Sequence, residues 1–373
     1  MLKSKGRNWL LAIVSIFIAS TAFAQNLVIS GGNTVSGMIC LDGTIYTWGA
    51  NGNQGLGTGL ATNPTTSPTK VIFPTNDPYF FGVLGSTSVN MKVLDAGSGA
   101  HFVGLDCATG AWCWGNDTYG QIGDGGGTNG GTGGTVTKPT RVLKGQSPGG
   151  TGAYASLANY LVGVKSVSGG NDNTYCVMNT GEVMAWGRND YGQLGNGGST
   201  FSPTPVYVID GSTMTNLKNA IQVQAGDNSG YALIDPTGTG VGTVYSWGGG
   251  SGQYGGSGML GRSPAGGSNS GTETQNSAYA FPVCAIGGAP LTNIVSISAG
   301  DVFCMALDAN GNIWTWGNNG WGGLCGIGAT SIPFSNPQKV VAGAWATTAG
   351  GAGQTYLKAK MISGGQGFAM AVT

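Results

Sequence analysis

Residues that could carry acid–base or nucleophilic chemistry are scarce in this chain of 373 residues. His101 is the only histidine, which excludes a multi-histidine metal site and the H-E-x-x-H motif. A serine triad would need His101, but no G-x-S-x-G elbow lies between a predicted strand and a helix. His101 begins a strand at the position that Thr174 fills in the next repeat, so we interpret it as a core or turn residue. We predict that the chain is not an enzyme and has no catalytic residues.

Metal and cofactor binding are not predicted either. Asp172, Asp227 and Asp301 follow glycines on turns that are equivalent among the repeats, and oxygen-rich turns can bind calcium. Each turn supplies only one carboxylate, however, and an aspartate at a turn also forms local hydrogen bonds. No lysine follows a glycine in the frame of a phosphate-binding loop. We therefore expect neither a metal nor a cofactor.

The amino-terminal segment has the three parts of a secretory signal peptide. Three basic residues precede an apolar run over residues 9–18, and Ala22-Phe23-Ala24 is a small-residue cleavage pattern. The run is shorter than the ~20 residues of a membrane-spanning helix. We predict that residues 1–24 are removed and that the mature chain is secreted, periplasmic or on the cell surface, without a membrane span.

Export permits disulfide bonds, and the chain has seven cysteines. An odd number leaves at least one free thiol, and no Cys/His zinc spacing is present. Cys107 and Cys113 flank a tight turn over residues 106–110. The sequence therefore predicts a disulfide bond between Cys107 and Cys113 across neighbouring strands.

A Trp–Gly pair recurs five times, at intervals of 61 to 72 residues. The tryptophans are Trp48, Trp114, Trp186, Trp247 and Trp316. A glycine marker lies 16 to 21 residues before each of them, and a sixth marker, Gly364, has no tryptophan after it. Such a period indicates a repeat architecture.

Each unit contains four short runs with strand character. The first ends at the marker glycine, the second and third form a hairpin through Asp, Asn or Gly, and the fourth begins at a proline after a glycine-rich loop. Four antiparallel strands repeated radially make a β-propeller. We predict an all-β protein with one propeller domain over residues 25–373, in which the five tryptophans are wedges between four-stranded blades.

The number of blades stays open at this point. Five full units are followed by two strands, which fit five blades with an added hairpin, six blades with one thin blade, or seven blades if the chain is incomplete. An unpaired sheet edge is adhesive. We therefore expect an open blade edge that could support self-association.

The units resemble the regulator-of-chromosome-condensation repeat family. The resemblance rests on the glycine marker, the Trp–Gly pair and a loop that reads N-D-Y-G-Q-L-G at residues 189–195 and N-D-T-Y-G-Q-I-G at 116–123. It implies a seven-bladed propeller that serves as a protein-interaction platform. Nuclear members act on small-GTPase nucleotide exchange and chromatin. The signal peptide and the formal net charge of zero make both roles unsuited to this chain, and the absence of a basic excess argues against nucleic-acid binding.

The loops after Trp–Gly are the predicted binding surface. Four aromatic residues occupy similar loop positions and should emerge on one face of the propeller: Tyr119, Tyr191, Tyr254 and Trp321. Aromatic residues near Asn and Asp suit protein contact or sugar stacking, although repeated positions can equally be structural. We predict a secreted, non-enzymatic module that binds a protein partner. The alternatives are a glycan-binding lectin or adhesin, and an inhibitor of an extracellular enzyme such as a β-lactamase.

Overall fold

The fold is an all-β propeller, as the repeat predicts. The computed structural model describes residues 28–52, 55–60, 62–74, 89–128, 134–146, 159–249, 258–262, 276–319, 323–328, 334–344, 353–365 and 367–373. Residues 1–24, the predicted signal peptide, lie outside these ranges. None of the described helices is long and apolar enough to cross a membrane.

The first three blades each begin with a strand at the centre of the ring and end with a strand at the rim. The first blade consists of β1 (Val28–Gly31), β2 (Val35–Ile39), β3 (Ile45–Gly49) and β4 (Thr65–Lys70). The second consists of β5 (Met91–Ala96), β6 (His101–Asp106), β7 (Ala111–Asn116) and β8 (Thr135–Arg141). The third consists of β9 (Val164–Gly169), β10 (Asn173–Met178), β11 (Val183–Gly187) and β12 (Ser202–Tyr207).

The remaining units follow the same order with two variations. A small hairpin, β13 (Ile209–Asp210) and β14 (Thr215–Asn216), extends the rim of the fourth blade. That blade consists of β15 (Ala220–Ala225), β16 (Ser229–Ile234), β17 (Thr243–Gly248) and β18 (Ser277–Pro282). The fifth consists of β19 (Ile294–Ala299), β20 (Phe303–Asp308), β21 (Ile313–Gly317) and β22 (Phe334–Lys339). The sixth unit is the two-stranded sheet of β23 (Met361–Gly364) and β24 (Ala369–Val372).

The first strands of the units are linked to one another around a central cavity of about 450 Å³. A polar side chain on one first strand accepts a hydrogen bond from the backbone of the next. Ser30 Oγ accepts from Ala96 N at 2.9 Å, and Asp95 Oδ2 accepts from Gly169 N at 3.0 Å. In the same way, Ser168 Oγ accepts from Ala225 N at 3.1 Å, and Ser298 Oγ accepts from Gly364 N at 2.9 Å. These bonds fix the spacing of successive blades at the centre of the ring.

The hydrophobic core is divided into clusters that lie between successive blades. Trp114, Trp186, Trp247 and Trp316 are fully buried in four of them. Each of these indoles packs on a loop glycine of the preceding blade. For example, a Cβ added at Gly123 would lie 2.8 Å from Trp186 Nε1. Trp48 of the first blade is only half-buried.

The glycine of each Trp–Gly pair has a backbone requirement of its own. Gly187 has φ of +103°, and a Cβ there would lie 2.3 Å from the carbonyl oxygen of Asp172. Only glycine adopts this conformation at such a close approach without strain. The tryptophan of the pair therefore packs between blades, and the glycine allows a close backbone contact within its own blade.

The prediction that each fourth strand begins at a proline is wrong by several residues. Pro139 lies inside β8 rather than at its start. The register shifts between Cys113 and Gly115 of β7, and Pro139 falls in the bulged part of β8 opposite Trp114. Because a rim strand needs no hydrogen bond on its outer side, a bulge there accommodates proline.

The predicted disulfide bond between Cys107 and Cys113 is absent, because both residues are free thiols. Cys113 pairs with Val103 in the ladder of β6 and β7, whereas Cys107 lies in the turn beyond β6. Three residue steps along β6 separate Val103 from Asp106, the residue before Cys107, which is about 10 Å at ~3.3 Å per residue. That distance exceeds the roughly 7 Å limit between the Cα atoms of a disulfide.

Candidate interaction surface

The turn aspartates and the two described loop tyrosines lie at one end of the propeller. The turns between first and second strands and the loops that follow Trp–Gly share this end, which we call the Trp–Gly face. The turns and loops share this end because the strands of each blade run alternately up and down. Asp172 lies on such a turn, and Tyr119 and Tyr191 lie on such loops.

The repeated glutamine in these loops is a structural residue. Gln193 Oε1 accepts a hydrogen bond from Tyr191 N at 2.8 Å, and its Nε2 donates to Asn228 Oδ1 of the next blade at 3.3 Å. Its backbone carbonyl accepts from Trp247 Nε1 at 2.8 Å and from the Tyr175 hydroxyl at 2.8 Å. The motif therefore serves blade packing, and only the tyrosine side chain remains for other contacts.

Two of the predicted binding residues are brought together by an arginine between the second and third blades. The Arg188 guanidinium carbon lies 4.8 Å from the centroid of the Tyr119 ring and 5.6 Å from that of Tyr191. Both distances are within the range of cation–π attraction. Tyr254 and Trp321 lie outside the described residues.

Two carboxylates hold Arg188 in this position. Arg188 Nε donates to Asp190 Oδ2 at 2.8 Å, and its Nη1 donates to Asp172 Oδ2 at 3.3 Å. The Arg188 side chain is 17% exposed and that of Asp190 is 44% exposed. The cluster of Tyr119, Arg188, Tyr191, Asp172 and Asp190 is thus ordered yet open to solvent, and we call it the tyrosine–arginine patch.

The turns beside the patch concentrate negative charge. Burial raises the pKa of Asp172 above its usual value, although the Arg188 guanidinium opposes the shift. Burial and the neighbouring carboxylates of Asp301 and Asp172 raise the pKa of Asp227 to about 6. Among the described residues, no group of three or more His, Cys, Asp or Glu side chains could hold a metal ion.

Asp117 replaces an asparagine found at the same loop position in other units. Asn189 Oδ1 accepts from Leu194 N at 2.9 Å while its Nδ2 donates to the carbonyls of Gly198 and Thr200 at 3.1 and 3.0 Å. Asp117 Oδ1 accepts the equivalent bond from Ile122 N at 3.0 Å. Burial and the nearby carboxylate of Asp124 raise the pKa of Asp117 to about 7, despite the bond from Ile122.

His101 lies in the core rather than on the surface. Its Nε2 is 3.0 Å from Thr174 Oγ1 of the next blade, and its Nδ1 has no hydrogen-bond partner among the described residues. Burial lowers the pKa of His101 to about 4. The side chain therefore stays neutral near pH 7 and contributes to packing between the second and third blades.

Arg188 was not among the predicted site residues. The available signal was its position directly after Trp186–Gly187, where the other units carry Ala50, Asn116, Gly249 and Asn318. A lone cation in a glycine-rich face is a local exception to the repeat. The sequence shows that Arg188 departs from the repeat, but only the folded ring shows that Arg188 contacts the loop of Tyr119.

The comparisons with known proteins agree with this architecture. Two family models described as regulator of chromosome condensation (RCC1) repeat match the chain, one over residues 42–104 and 180–233 and the other over 164–193 and 294–322. The mouse E3 ubiquitin-protein ligase HERC2 is 25% identical over 282 residues, which is 74% of this chain. The aligned part is only 5% of the length of HERC2.

Solved structures show the same fold at low identity. Human WBSCR16 superposes with a TM-score of 0.61 at 17% identity, covering 91% of this chain and 72% of that protein. Yeast RCC1 (Prp20), solved with Kap60 bound to it, gives a TM-score of 0.59 at 16% identity and covers 93% and 68%. The family models support the RCC1 repeat family, and the solved structures show that the chain has the fold of an RCC1-like β-propeller of four-stranded sheets.

Proposed function

We propose that this chain is an exported, non-enzymatic module that binds a protein partner through the tyrosine–arginine patch. Propellers of this type are typically protein-interaction modules, and the yeast relative is described with Kap60 bound. The observation that carries the proposal is the arrangement of Tyr119, Arg188 and Tyr191, in which two loops of different blades meet at one restrained cation.

The patch has the properties of an interface anchor. Tyrosine and arginine are enriched among the residues that dominate binding energy. Arg188 is held by Asp172 and Asp190 before any partner arrives, so less side-chain entropy is lost on binding. Asp227 and Asp301 lie on the same face, and a partner that presents basic or hydrogen-bond-donating groups would complement it.

A protein partner fits the patch better than a sugar. The guanidinium of Arg188 already lies over one face of each of the Tyr119 and Tyr191 rings, which reduces the aromatic surface available for stacking of a sugar. A glycan array with the purified mature chain tests this alternative. Saturable binding to a glycan that is lost with Tyr191→Ala would favour the lectin over the protein-binding module.

The partner proposal is tested by capture with and without the patch. The mature chain is immobilised, exposed to extracellular and envelope fractions, and crosslinked, and bound proteins are identified by mass spectrometry. We expect the double variant Tyr119→Ala, Tyr191→Ala to lose at least tenfold in affinity for the captured partner. Tyr46→Ala, a half-buried tyrosine of β3 in the first blade, is the matched control and should retain binding. Equal binding by the parent chain, the double variant and Tyr46→Ala would reject the tyrosine–arginine patch as the binding site.

Export is tested separately. Expression of the full chain followed by cell fractionation should place a product that begins at Gln25 outside the cytoplasm. Mass spectrometry of the intact protein identifies that terminus. A product that keeps its first 24 residues inside the cell would reject export and leave the patch experiment unaffected.

A further inference from the structure

The loop after Trp114–Gly115 in the second blade departs from the repeat at one buried position. Asp117 stands where the first, third and fifth units carry Asn51, Asn189 and Asn319, and it is only 3% exposed. Among the described residues, Asp117 Oδ2 accepts no hydrogen bond, and no Lys or Arg side chain forms an ion pair with this carboxylate. A buried carboxylate without either kind of partner needs another source of positive charge.

The third blade shows which groups surround this position. Asn189 Nδ2 donates to three oxygens that converge on it, namely Asn196 Oδ1 at 3.2 Å and the carbonyls of Gly198 and Thr200 at 3.1 and 3.0 Å. In the first blade, Asn51 Nδ2 likewise donates to two carbonyls at 2.9 Å. The loop is therefore built as a set of oxygen acceptors around a single donor, and we call this arrangement the amide pocket.

The second blade has the same loop with an oxygen in the place of the donor. Residues 117–126 align with residues 189–198 without a gap. Asp124 Oδ1 accepts a hydrogen bond from Gly126 N at 2.9 Å, and the corresponding bond in the third blade is 3.1 Å. Asp124 is a second exception, because the third blade has an amide side chain there. Asp117 Oδ2 thus takes the position of the amide nitrogen among groups that remain acceptors.

The two carboxylates of this loop face one small space. A Cβ added at Gly126 would lie 2.8 Å from Asp117 Oδ2 and 2.9 Å from Asp124 Oδ1. Asp124 is half-buried and Gly126 is exposed, so an ion can enter this space from solvent. The carbonyl of Gly126 corresponds to that of Gly198, which accepts from the amide of Asn189 in the third blade. The space is therefore lined by oxygens and accessible to a cation.

We propose that Asp117 and Asp124 bind a hard divalent cation, calcium by preference, with the carbonyl of Gly126 and water completing its coordination. Calcium accepts carboxylate, carbonyl and water oxygens in a flexible geometry, whereas magnesium requires near-ideal octahedral coordination. A proton would neutralise only one of the two carboxylates. The ion would join the start of the loop to its middle, as the amide of Asn189 does in the third blade. This site is separate from the turn aspartates, each of which supplies a single carboxylate.

The test measures thermal unfolding of the mature chain after treatment with EDTA and exchange into metal-free buffer near pH 7.5. Calcium chloride is added up to about 10 mM at constant ionic strength. We expect a saturable increase in Tm of about 2–4 °C, with half-saturation at ~0.1–1 mM, as in extracellular calcium modules. Magnesium chloride should give a smaller increase. Proton uptake by Asp117 is measured in buffer that contains EDTA, where no other ion competes for the pocket.

Three variants locate the ion. Gly126→Ala places a methyl group between the carboxylates without removing either of them, and it should weaken calcium binding at least tenfold. Gly198→Ala is the matched control in the third blade, because the nearest atom to an added Cβ there is Asn196 Oδ1 at 3.6 Å, and it should keep the parent response. Asp117→Asn restores the donor of the amide pocket and should abolish the calcium response in a protein that folds without the ion.

The outcomes separate the ion from its alternatives. No saturable increase in Tm for the parent chain would overturn the proposal and leave a proton as the occupant of the pocket. An equal response from the parent and Asp117→Asn proteins would also overturn it, because calcium would then act at other carboxylates. If Gly126→Ala fails to fold, the comparison of the parent with Asp117→Asn decides alone.

Discussion

The loop position of Asp117 allows a direct test of whether a carboxylate there is less stable than the amide found in other units. Its carboxylate stands where Asn189 uses an oxygen to accept and an amide to donate, and the pKa of Asp117 is raised to about 7 by burial and by Asp124. Below that pH the protonated carboxyl is a close chemical equivalent of the amide. Above it, the loop holds a charge that its geometry does not favour.

The sign of the effect follows from proton linkage. Because the folded state binds the proton more tightly than the unfolded chain does, the free energy of unfolding decreases as the pH rises from about 4 to about 7. A pKa raised from 3.8 to about 7 corresponds to about 4 kcal/mol at ~1.4 kcal/mol per unit. Relaxation of the loop around the charge offsets part of this, so we expect Asp117→Asn to stabilise the fold by about 1–2 kcal/mol at pH 8.

The assay is urea unfolding of the parent and Asp117→Asn proteins at pH 4.5 and pH 8. The gain in unfolding free energy from Asp117→Asn should be about a quarter as large at pH 4.5 as at pH 8. The reciprocal variant Asn189→Asp places a carboxylate against the carbonyls of Gly198 and Thr200, and it should destabilise the protein by about 2–4 kcal/mol at pH 8. An Asp117→Asn effect of the same size at both pH values, or a loss at pH 8, would refute the reasoning.

The strand register sets His101 at the position of Asn173 in the next unit, not at that of Thr174 as predicted. His101→Asn should therefore be tolerated and should remove about 3 kcal/mol of stability loss between pH 6.5 and pH 4, because the folded pKa of about 4 lies below the unfolded 6.5; urea unfolding across that interval measures it. Trp247→Ala should lower the free energy of unfolding by about 3–5 kcal/mol, and Trp48→Ala by less than half of that, because Trp48 is half-buried. In the folded protein, iodoacetamide should modify the exposed Cys107 before any fully buried thiol, as peptide mass spectrometry after timed labelling would show.

The sequence was sufficient to predict the repeat and most of its strands, because the physical requirements recur in every unit. Trp186 packs between two blades, and Gly187 allows the close backbone contact next to it. Both residues lie where the spacing predicts. The first strands end at the marker glycine as predicted, since β5 and β19 stop at Ala96 and Ala299, directly before Gly97 and Gly300. Rim strands such as β8 were misplaced, because their bulge depends on pairing with a strand more than 20 residues earlier.

The interaction surface was harder to predict than the fold. Tyr119 and Tyr191 were found as loop aromatics, but the pairing through Arg188 depends on the angle between two blades, which no local pattern encodes. The disulfide prediction was wrong for a related reason. Cys107 and Cys113 are close in sequence around a turn, yet the register of the hairpin sets Cys113 opposite Val103.

Recognition and stability use different residues of the same repeat. Structural contacts occupy the tryptophan, the following glycine and the loop glutamine. Gln193, for example, is hydrogen-bonded to Trp247 and Asn228 of the next blade. A residue that repeats in every unit therefore has little freedom to define a partner. Specificity must come from positions at which one unit departs from the others, and Arg188 is such a departure, because it adds a held charge without disturbing the wedge beneath it. In a propeller of this kind, the exceptions to the repeat are the places at which to look for function.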